Sequence, residues 1–274
     1  MHIRHAIAVH LQTAEPFDGE GVLEFLAARA IPGVEEIVNG TYRRTVQLER
    51  GAGVIEATPR SDGVRCELTL GHPGDADDAA QRVVHLFDLN TDPHAVAAVL
   101  GADPLLAPLV ARHPGLRVPG AVDGFELVVR AIVGQQVSVA GARTVLGRIV
   151  AEHGEPLADP DGKLTFHFPA PAALAAADPS SFPFPRTRAR ALIAVAGLAA
   201  EGELWLDSLT AIPGIGPWTA SYVAMRALRD PDVFLPGDVG VRNALTRLGG
   251  TPDPERWRPW RSYAVMQLWR SLGG

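Results

Sequence analysis

The sequence predicts an α+β fold: a small N-terminal antiparallel sheet with two helices, followed by a mostly α-helical, two-lobed body. Three observations carry this expectation. Apolar residues alternate at Val64, Cys66, Leu68 and Leu70, the period of a half-buried strand. From about Asn90 onward the period becomes helical, as in Phe125, Val128, Val129, Ile132 and Val133. Between two helical stretches stands Pro213-Gly214-Ile215-Gly216, a sequence suited to a tight turn.

In the front unit, strands fit Ile3–Leu11, Tyr42–Leu48, Val54–Thr58 and Val64–Leu70. One helix fits Gly19–Ala30, with Val22, Phe25 and Leu26 on one face, and a second fits Asp77–Phe87. Pro59, Gly63, Gly71, Pro73 and Gly74 punctuate the joins. Farther on, Ser138 suits the N-cap of a helix reaching Glu152. Residues Pro156–Pro171, rich in Pro, Gly and Asp, read as a connection. Helical patterning resumes at Pro171–Asp178, Thr187–Glu201, Ser208–Ile212, Pro217–Arg229, Val239–Leu248 and Pro259–Leu272. The expected organisation is an α+β domain over 1–90, a helical lobe from 91–119 and 230–274, and a helical domain over 120–229.

With 274 residues the chain can build two or three packed subdomains. Its 47% hydrophobic and 20% charged residues are those of an ordinary globular protein. No apolar run approaches the roughly 18 residues of a membrane span, and the first ten residues lack the uninterrupted apolar core of a secretory signal. A cytoplasmic monomer is expected. The single cysteine, Cys66, excludes an intramolecular disulfide and any four-cysteine zinc or iron–sulfur site within the chain. Its place in an alternating strand makes it a small buried apolar residue. The nine histidines show no metal-binding spacing, and no catalytic cofactor is expected.

Net charge is −6, which by itself disfavours a nucleic-acid partner. Its distribution is uneven. Residues 1–108 hold 8 arginines against 16 acids, whereas residues 209–274 hold 8 arginines against 5 acids. Phosphates would be met by the C-terminal part. Lys163 is the chain's one lysine, and arginine cannot form the Schiff base that a lyase needs.

The Pro213–Gly216 turn leaves backbone uncovered, and Pro217 suits the first position of the next helix. Such a turn aims N–H groups at one point beside a helix N-terminus, which suits a phosphate. A plain helix–helix connection fits the same four residues equally well. Trp218 and Tyr222 lie one turn apart on the outgoing helix, where aromatics serve either a core or a stacking wall for an extruded base. Next comes Pro236-Gly237-Asp238 before a helical stretch, first of all an N-cap. A carboxylate fixed there also suits glycosidic chemistry, which builds positive charge on a sugar.

The hairpin, with an aspartate 22 residues beyond Gly216 in a Gly/Pro-rich loop, resembles the helix-hairpin-helix/GPD superfamily of DNA glycosylases. Further stretches are similar to its 3-methyladenine DNA glycosylase II branch: Phe25-Leu-Ala-Ala-Arg-Ala, Leu86-Phe-Asp-Leu, Pro114-Gly-Leu-Arg-Val-Pro-Gly, Arg130-Ala-Ile-Val-Gly-Gln-Gln-Val-Ser and Trp257-Arg-Pro-Trp-Arg-Ser-Tyr-Ala. The resemblance implies a monofunctional enzyme that excises alkylated, cationic purines such as 3-methyladenine and 7-methylguanine from double-stranded DNA. Asp238 would be the catalytic carboxylate, and Trp218, Tyr222, Trp269 and Phe25 would line the base pocket. Gly214, Gly216, Thr219, Gln135 and Gln136 would meet DNA. Backbone carbonyls of Thr210, Ile212 and Ile215 would hold a monovalent cation. Two positions depart from the branch: Gln136 stands where an apolar wedge is common, and Val239 follows Asp238 in place of an aromatic residue. A cationic base would be drawn to an aromatic cleft by roughly 0.5–2 kcal/mol. A non-catalytic DNA-binding module, with Asp238 only a cap, and a glycosylase for a different damaged base are the alternatives.

Overall fold

The computed structural model describes residues 5–273, apart from the side chains of residues 206–208. Five strands form one antiparallel sheet: β1 (His5–Gln12), β2 (Glu35–Val38), β3 (Thr41–Gln47), β4 (Ala52–Arg60) and β5 (Gly63–Leu70), in the order β1-β5-β4-β3-β2. Ile3 and Arg4, where the first strand was expected to begin, lie outside the described residues. Cys66 pairs with Val9 on one side and Ala57 on the other, and it is fully buried. Burial pushes its thiol up to about 12, so it behaves as a small apolar side chain. Helices α1 (Gly19–Arg29) and α2 (Ala76–Leu86) close the sheet's apolar face through Val22, Leu26, Val83 and Leu86.

Strand β2 is an addition to the four strands expected. Its hairpin to β3 turns through Asn39 and Gly40, both at positive φ, the chemistry of a tight two-residue turn. The adjacent acids Glu35 and Glu36 interrupt any apolar alternation, yet both are buried because arginines of β3 meet them.

Helices follow: α3 (Pro93–Leu100), α4 (Ala107–Arg112), α5 (Gly124–Gly134) and α6 (Val139–His153), the last capped by Ser138 at the N–H of Gly141. The stretch expected as a plain connection instead forms a hairpin, β6 (Pro156–Asp161) with β7 (Leu164–Phe166). Tertiary contacts make it. The N–H groups of Thr165 and Phe166 both donate to the Gly33 carbonyl, Thr45 donates its hydroxyl to the Phe166 carbonyl, and Arg43 reaches Asp161. Lys163 is exposed beside the turn glycine, Gly162.

Beyond it run α7 (Pro171–Ala175), α8 (Arg186–Ala200), a 3-10 turn (Leu206–Ala211), α9 (Pro217–Arg226), α10 (Val239–Leu248), a 3-10 turn (Pro254–Trp257) and α11 (Arg261–Arg270). One helical core gathers Val128, Ile132, Ile149, Leu192, Val195 and Val223. The other gathers Leu100, Leu106, Val241, Trp257, Ala264 and Leu268, drawing on segments far apart in sequence. Helix α5 is tied back to the sheet by buried charges. Arg44 and Arg130 donate to Glu126 at 2.7 and 2.6 Å, while Arg130 also reaches Glu35 at 2.5 Å.

Candidate active site

A cleft of about 1170 Å³ opens between the two helical cores and the sheet domain. Its walls bring together the 213–216 turn, the start of α9, the residues after α5, and the N-terminus of α10.

Asp238 is positioned by its own turn, its N–H donating to the Leu235 carbonyl at 3.0 Å. Extended backbone there makes it the N-cap of α10, with Oδ1 accepting from the Val241 N–H at 2.9 Å. The side chain does more than cap. Its Oδ1 also accepts the indole N–H of Trp269 at 2.9 Å, and its Oδ2 accepts that of Trp218 at 3.0 Å. Three donors from three elements hold one half-buried carboxyl group facing the cleft. A Cβ at the neighbouring Gly240 would stand 3.0 Å from the Trp269 ring and 3.1 Å from Oδ1, so bulk is excluded beside the pair.

The indoles begin an aromatic wall. Trp218 stacks on Tyr222 with centroids 5.3 Å apart and planes 13° from parallel, and Tyr222 lies 6.2 Å from Trp269. Phe25 stacks on Trp269 at 6.4 Å, but it stands behind the cleft surface because the Arg29 guanidinium lies 3.7 Å above its ring. At the C-terminal end of α9, Arg226 donates to the Tyr222 hydroxyl at 2.6 Å and to the carbonyls of Pro119 and Gly120 at 2.7 Å each. Burial alone would raise the Tyr222 phenol; the guanidinium groups of Arg226 and Arg29 outweigh it and bring the phenol below its ordinary value.

These two arginines escaped the sequence reading, although a signal was present. Phe25 and Arg29, and Tyr222 and Arg226, are aromatic–arginine pairs four residues apart on a helix, the spacing that puts a guanidinium beside a ring. Neither arginine belongs to an ion pair among the described residues, whereas Arg44 and Arg130 each do.

The turn itself is built around Gly214, whose φ is +91° and where a Cβ would meet that of Ala191 at 2.9 Å. Gly216 is the N-cap of α9 and offers no side-chain acceptor to the first-turn N–H groups, with Pro217 following. Thr219 is buried, and its hydroxyl accepts from the Gln135 amide at 2.9 Å, which fixes the end of α5 against the hairpin. Gln136 is exposed at the cleft mouth with φ +58°, flanked by exposed Val137. Ile212 and Ile215 are buried, and the Ile212 carbonyl accepts from the Ile215 N–H at 3.0 Å. With Thr210 these supply backbone carbonyl oxygens, hard donors of the type an alkali cation takes. No cluster of three or more His, Cys, Asp or Glu with metal-binding geometry occurs among the described residues.

A glycine turn opening onto a helix, a carboxylate-capped helix 20-odd residues later, and an aromatic cleft between them belong to one class, the helix-hairpin-helix proteins of base-excision repair. Comparison with known proteins specifies it further. The model of the AlkA N-terminal domain matches residues 8–123, and that of the HhH-GPD superfamily base excision DNA repair proteins matches residues 129–258. DNA-3-methyladenine glycosylase 2 of Escherichia coli is 38% identical over 276 residues, covering 94% of this chain and 95% of that protein. A Mycobacterium tuberculosis protein named "Probable bifunctional transcriptional activator/DNA repair enzyme AlkA" is 43% identical over 97% of this chain, which spans 57% of that relative's length. Among solved structures, the 3-methyladenine DNA-glycosylase from Archaeoglobus fulgidus shares the fold, with a TM-score of 0.80 at 22% identity over 95% of this chain and 97% of that one. The chain therefore belongs to the HhH-GPD superfamily of base excision DNA repair proteins, in the branch that carries the AlkA N-terminal domain.

Proposed function

We propose that the protein is a monofunctional DNA glycosylase that removes alkylated purines from double-stranded DNA, with Asp238 as its catalytic carboxylate. The observation that carries this reading is the carboxyl group of Asp238, held by two indole N–H groups and a helix N-terminus on the wall of an aromatic cleft. The similarity to DNA-3-methyladenine glycosylase 2 supports it along nearly the whole chain. A nucleotide turned out of the duplex would lay its base along Trp218 and Tyr222 and its sugar against Asp238. As the C1′–N bond breaks, its electron pair leaves with the base and positive charge develops on the sugar. The fixed carboxylate stabilises that charge and orients a water, whose oxygen bonds to C1′ and whose proton passes to solvent through the carboxylate.

In this reading Gly214, Gly216 and Thr219 hold a DNA phosphate through backbone N–H groups, and a monovalent cation at the carbonyls of Thr210, Ile212 and Ile215 braces the turn. Gln135 anchors the end of α5 to the hairpin, and Gln136 fills the space left by the extruded nucleotide. In the same reading the protein works on the chromosome as a cytoplasmic monomer; no helix among the described residues is long and apolar enough to cross a membrane.

Two measurements test the reading. Duplexes each bearing one 7-methylguanine or 3-methyladenine should yield free base and an abasic site, and borohydride should trap no protein–DNA adduct. The chain's one lysine, Lys163, is exposed on the β6–β7 turn and does not line the cleft. A trapped adduct overturns the monofunctional assignment, and absence of base release overturns the enzyme. Gly214→Ala should weaken duplex binding by roughly 10-fold, because forcing a side chain into a left-handed conformation costs about 1–2 kcal/mol. Binding titrations over a salt series, with melting temperature as control, check this.

A further inference from the structure

Between Asp178 and Glu201 the chain carries three arginines, Arg186, Arg188 and Arg190, and no acid. All three stand in the first half of α8, and none of their side chains makes a hydrogen bond or ion pair among the described residues. Arg186 and Arg190 are exposed; Arg188 is half-buried, its guanidinium 5.8 Å from the centre of the Phe184 ring. Asp178 feels the Arg186 charge, but its carboxyl group is bonded to the N–H and hydroxyl of Ser180. Arg43, Arg44, Arg130 and Arg261, by contrast, are each held by carboxylates. Nor does α8 gain from these charges: a first turn disfavours cations, because its free N–H groups already carry partial positive charge.

Their place in the fold points to a partner. Helix α8 backs the 213–216 turn. A Cβ at Gly214 would stand 2.9 Å from that of Ala191 and 3.8 Å from the Thr187 carbonyl oxygen, and Ala191, Ile212 and Ile215 share one core. With about 3.6 residues per turn, Thr187 and Ala191 form the stripe facing Gly214, with Arg186 and Arg190 on one side of it and Arg188 on the other. Resting on the glycosylase reading, in which the turn takes one phosphate, we infer that these three arginines bind further phosphates of the same duplex. They form a lesion-independent hold on the DNA backbone. Guanidinium groups suit that task, since each stays charged and presents a planar fork of donors to phosphate oxygens. Such contacts carry no sequence information, so the surface acts equally on intact and damaged duplex. It also reconciles a net charge of −6 with a polyanionic partner, because unpaired positive charge is concentrated beside the turn.

The test is equilibrium binding, over a salt series, of two otherwise identical duplexes, one intact and one carrying a stable abasic site. Each arginine engaged with a phosphate adds about 1 to the slope of log affinity against log salt. Arg186→Gln/Arg190→Gln should lower that slope by about 2 on both duplexes and weaken binding about 10- to 100-fold at low salt. Adding Arg188→Gln should remove about one more. Arg186→Lys/Arg190→Lys keeps the charge and should keep the slope. Arg60→Gln/Arg65→Gln removes equal charge from exposed positions of β4 and β5 and should leave the slope unchanged. Melting temperatures report the fold of each variant. An unchanged slope in the folded Arg186→Gln/Arg190→Gln protein overturns the proposal. So does a loss matched by the Arg60→Gln/Arg65→Gln control, or one confined to the abasic duplex. Release of 7-methylguanine by wild type is measured alongside. An arginine-dependent slope without base release supports the surface and overturns the glycosylase reading alone; base release with an unchanged slope does the reverse.

Discussion

Replacing Asp238 with Asn is expected to lower single-turnover release of 7-methylguanine by about 10²–10³-fold or more, the scale on which a fixed charge at a transition state is felt. Neutralising the group removes its hold on the developing sugar cation. The geometry adds a second effect. Oδ1 of an asparagine can keep the Val241 and Trp269 N–H groups, but its amide would face the Trp218 indole, donor against donor. That mismatch costs about 1–3 kcal/mol of stability while leaving the helix cap in place. The melting temperature should therefore drop modestly and the fold survive. Trp218→Phe removes the opposing donor, so the double variant should recover stability without recovering rate. Full base release by a folded Asp238→Asn protein would reduce residue 238 to a cap, and the protein to a module that only binds DNA.

The largest effect on stability is expected at Glu126. It is buried, accepts from Arg44 and Arg130, and with Glu35 forms a four-charge cluster joining α5 to the sheet. Glu126→Gln leaves two buried guanidinium groups sharing Glu35. Breaking a buried pair in this way costs about 3–5 kcal/mol, or roughly 10 °C in melting temperature for a chain of this size. The effect should depend on pH. Burial alone would raise the Glu126 carboxyl; the Arg44 and Arg130 guanidinium groups overcome it and hold the group well below its ordinary 4.5. A carboxyl with a depressed folded-state value contributes stability that is complete above the unfolded value and is lost on acidification. The gap between wild type and Glu126→Gln should be widest near neutral pH and narrow as pH falls below about 4.5. Thermal unfolding across that range checks it, and a gap independent of pH would contradict the charge account.

Much of this was legible because local pattern and tertiary role coincide. Helix α10 spans Val239–Leu248, as its pattern and the Asp238 cap foretell. Helix α6 begins where Ser138 places it. Strand β5 takes its two neighbours on either side of Cys66, and that thiol is buried as its alternation implies. The missed strands lie where charge pairing or a contact with another element, not the local apolar pattern, decides the structure. Strand β2 buries Glu35 and Glu36 only because Arg43 and Arg44 of β3 neutralise them, and the β6–β7 hairpin forms against Gly33 and Thr45. Helix α9 ends at Arg226, short of Arg229, which adopts positive φ. In the site, the motif aligned Asp238 and the 213–216 turn within one short segment, so both were visible. Arg29 belongs to α1, some 190 residues before Trp218, and only folding brings its charge to the same wall.

Binding of a duplex whose abasic position carries a nitrogen cation in place of C1′ interrogates the chemistry at its decisive atom. A crystal structure of that complex should put the cation within about 3–3.5 Å of an Asp238 carboxylate oxygen, with the flanking phosphate on the N–H groups of the 213–216 turn. The affinity should fall steeply in Asp238→Asn. A complex in which the cation lies away from that carboxylate, or binds the Asn variant equally well, would contradict the central claim that this side chain carries the reaction.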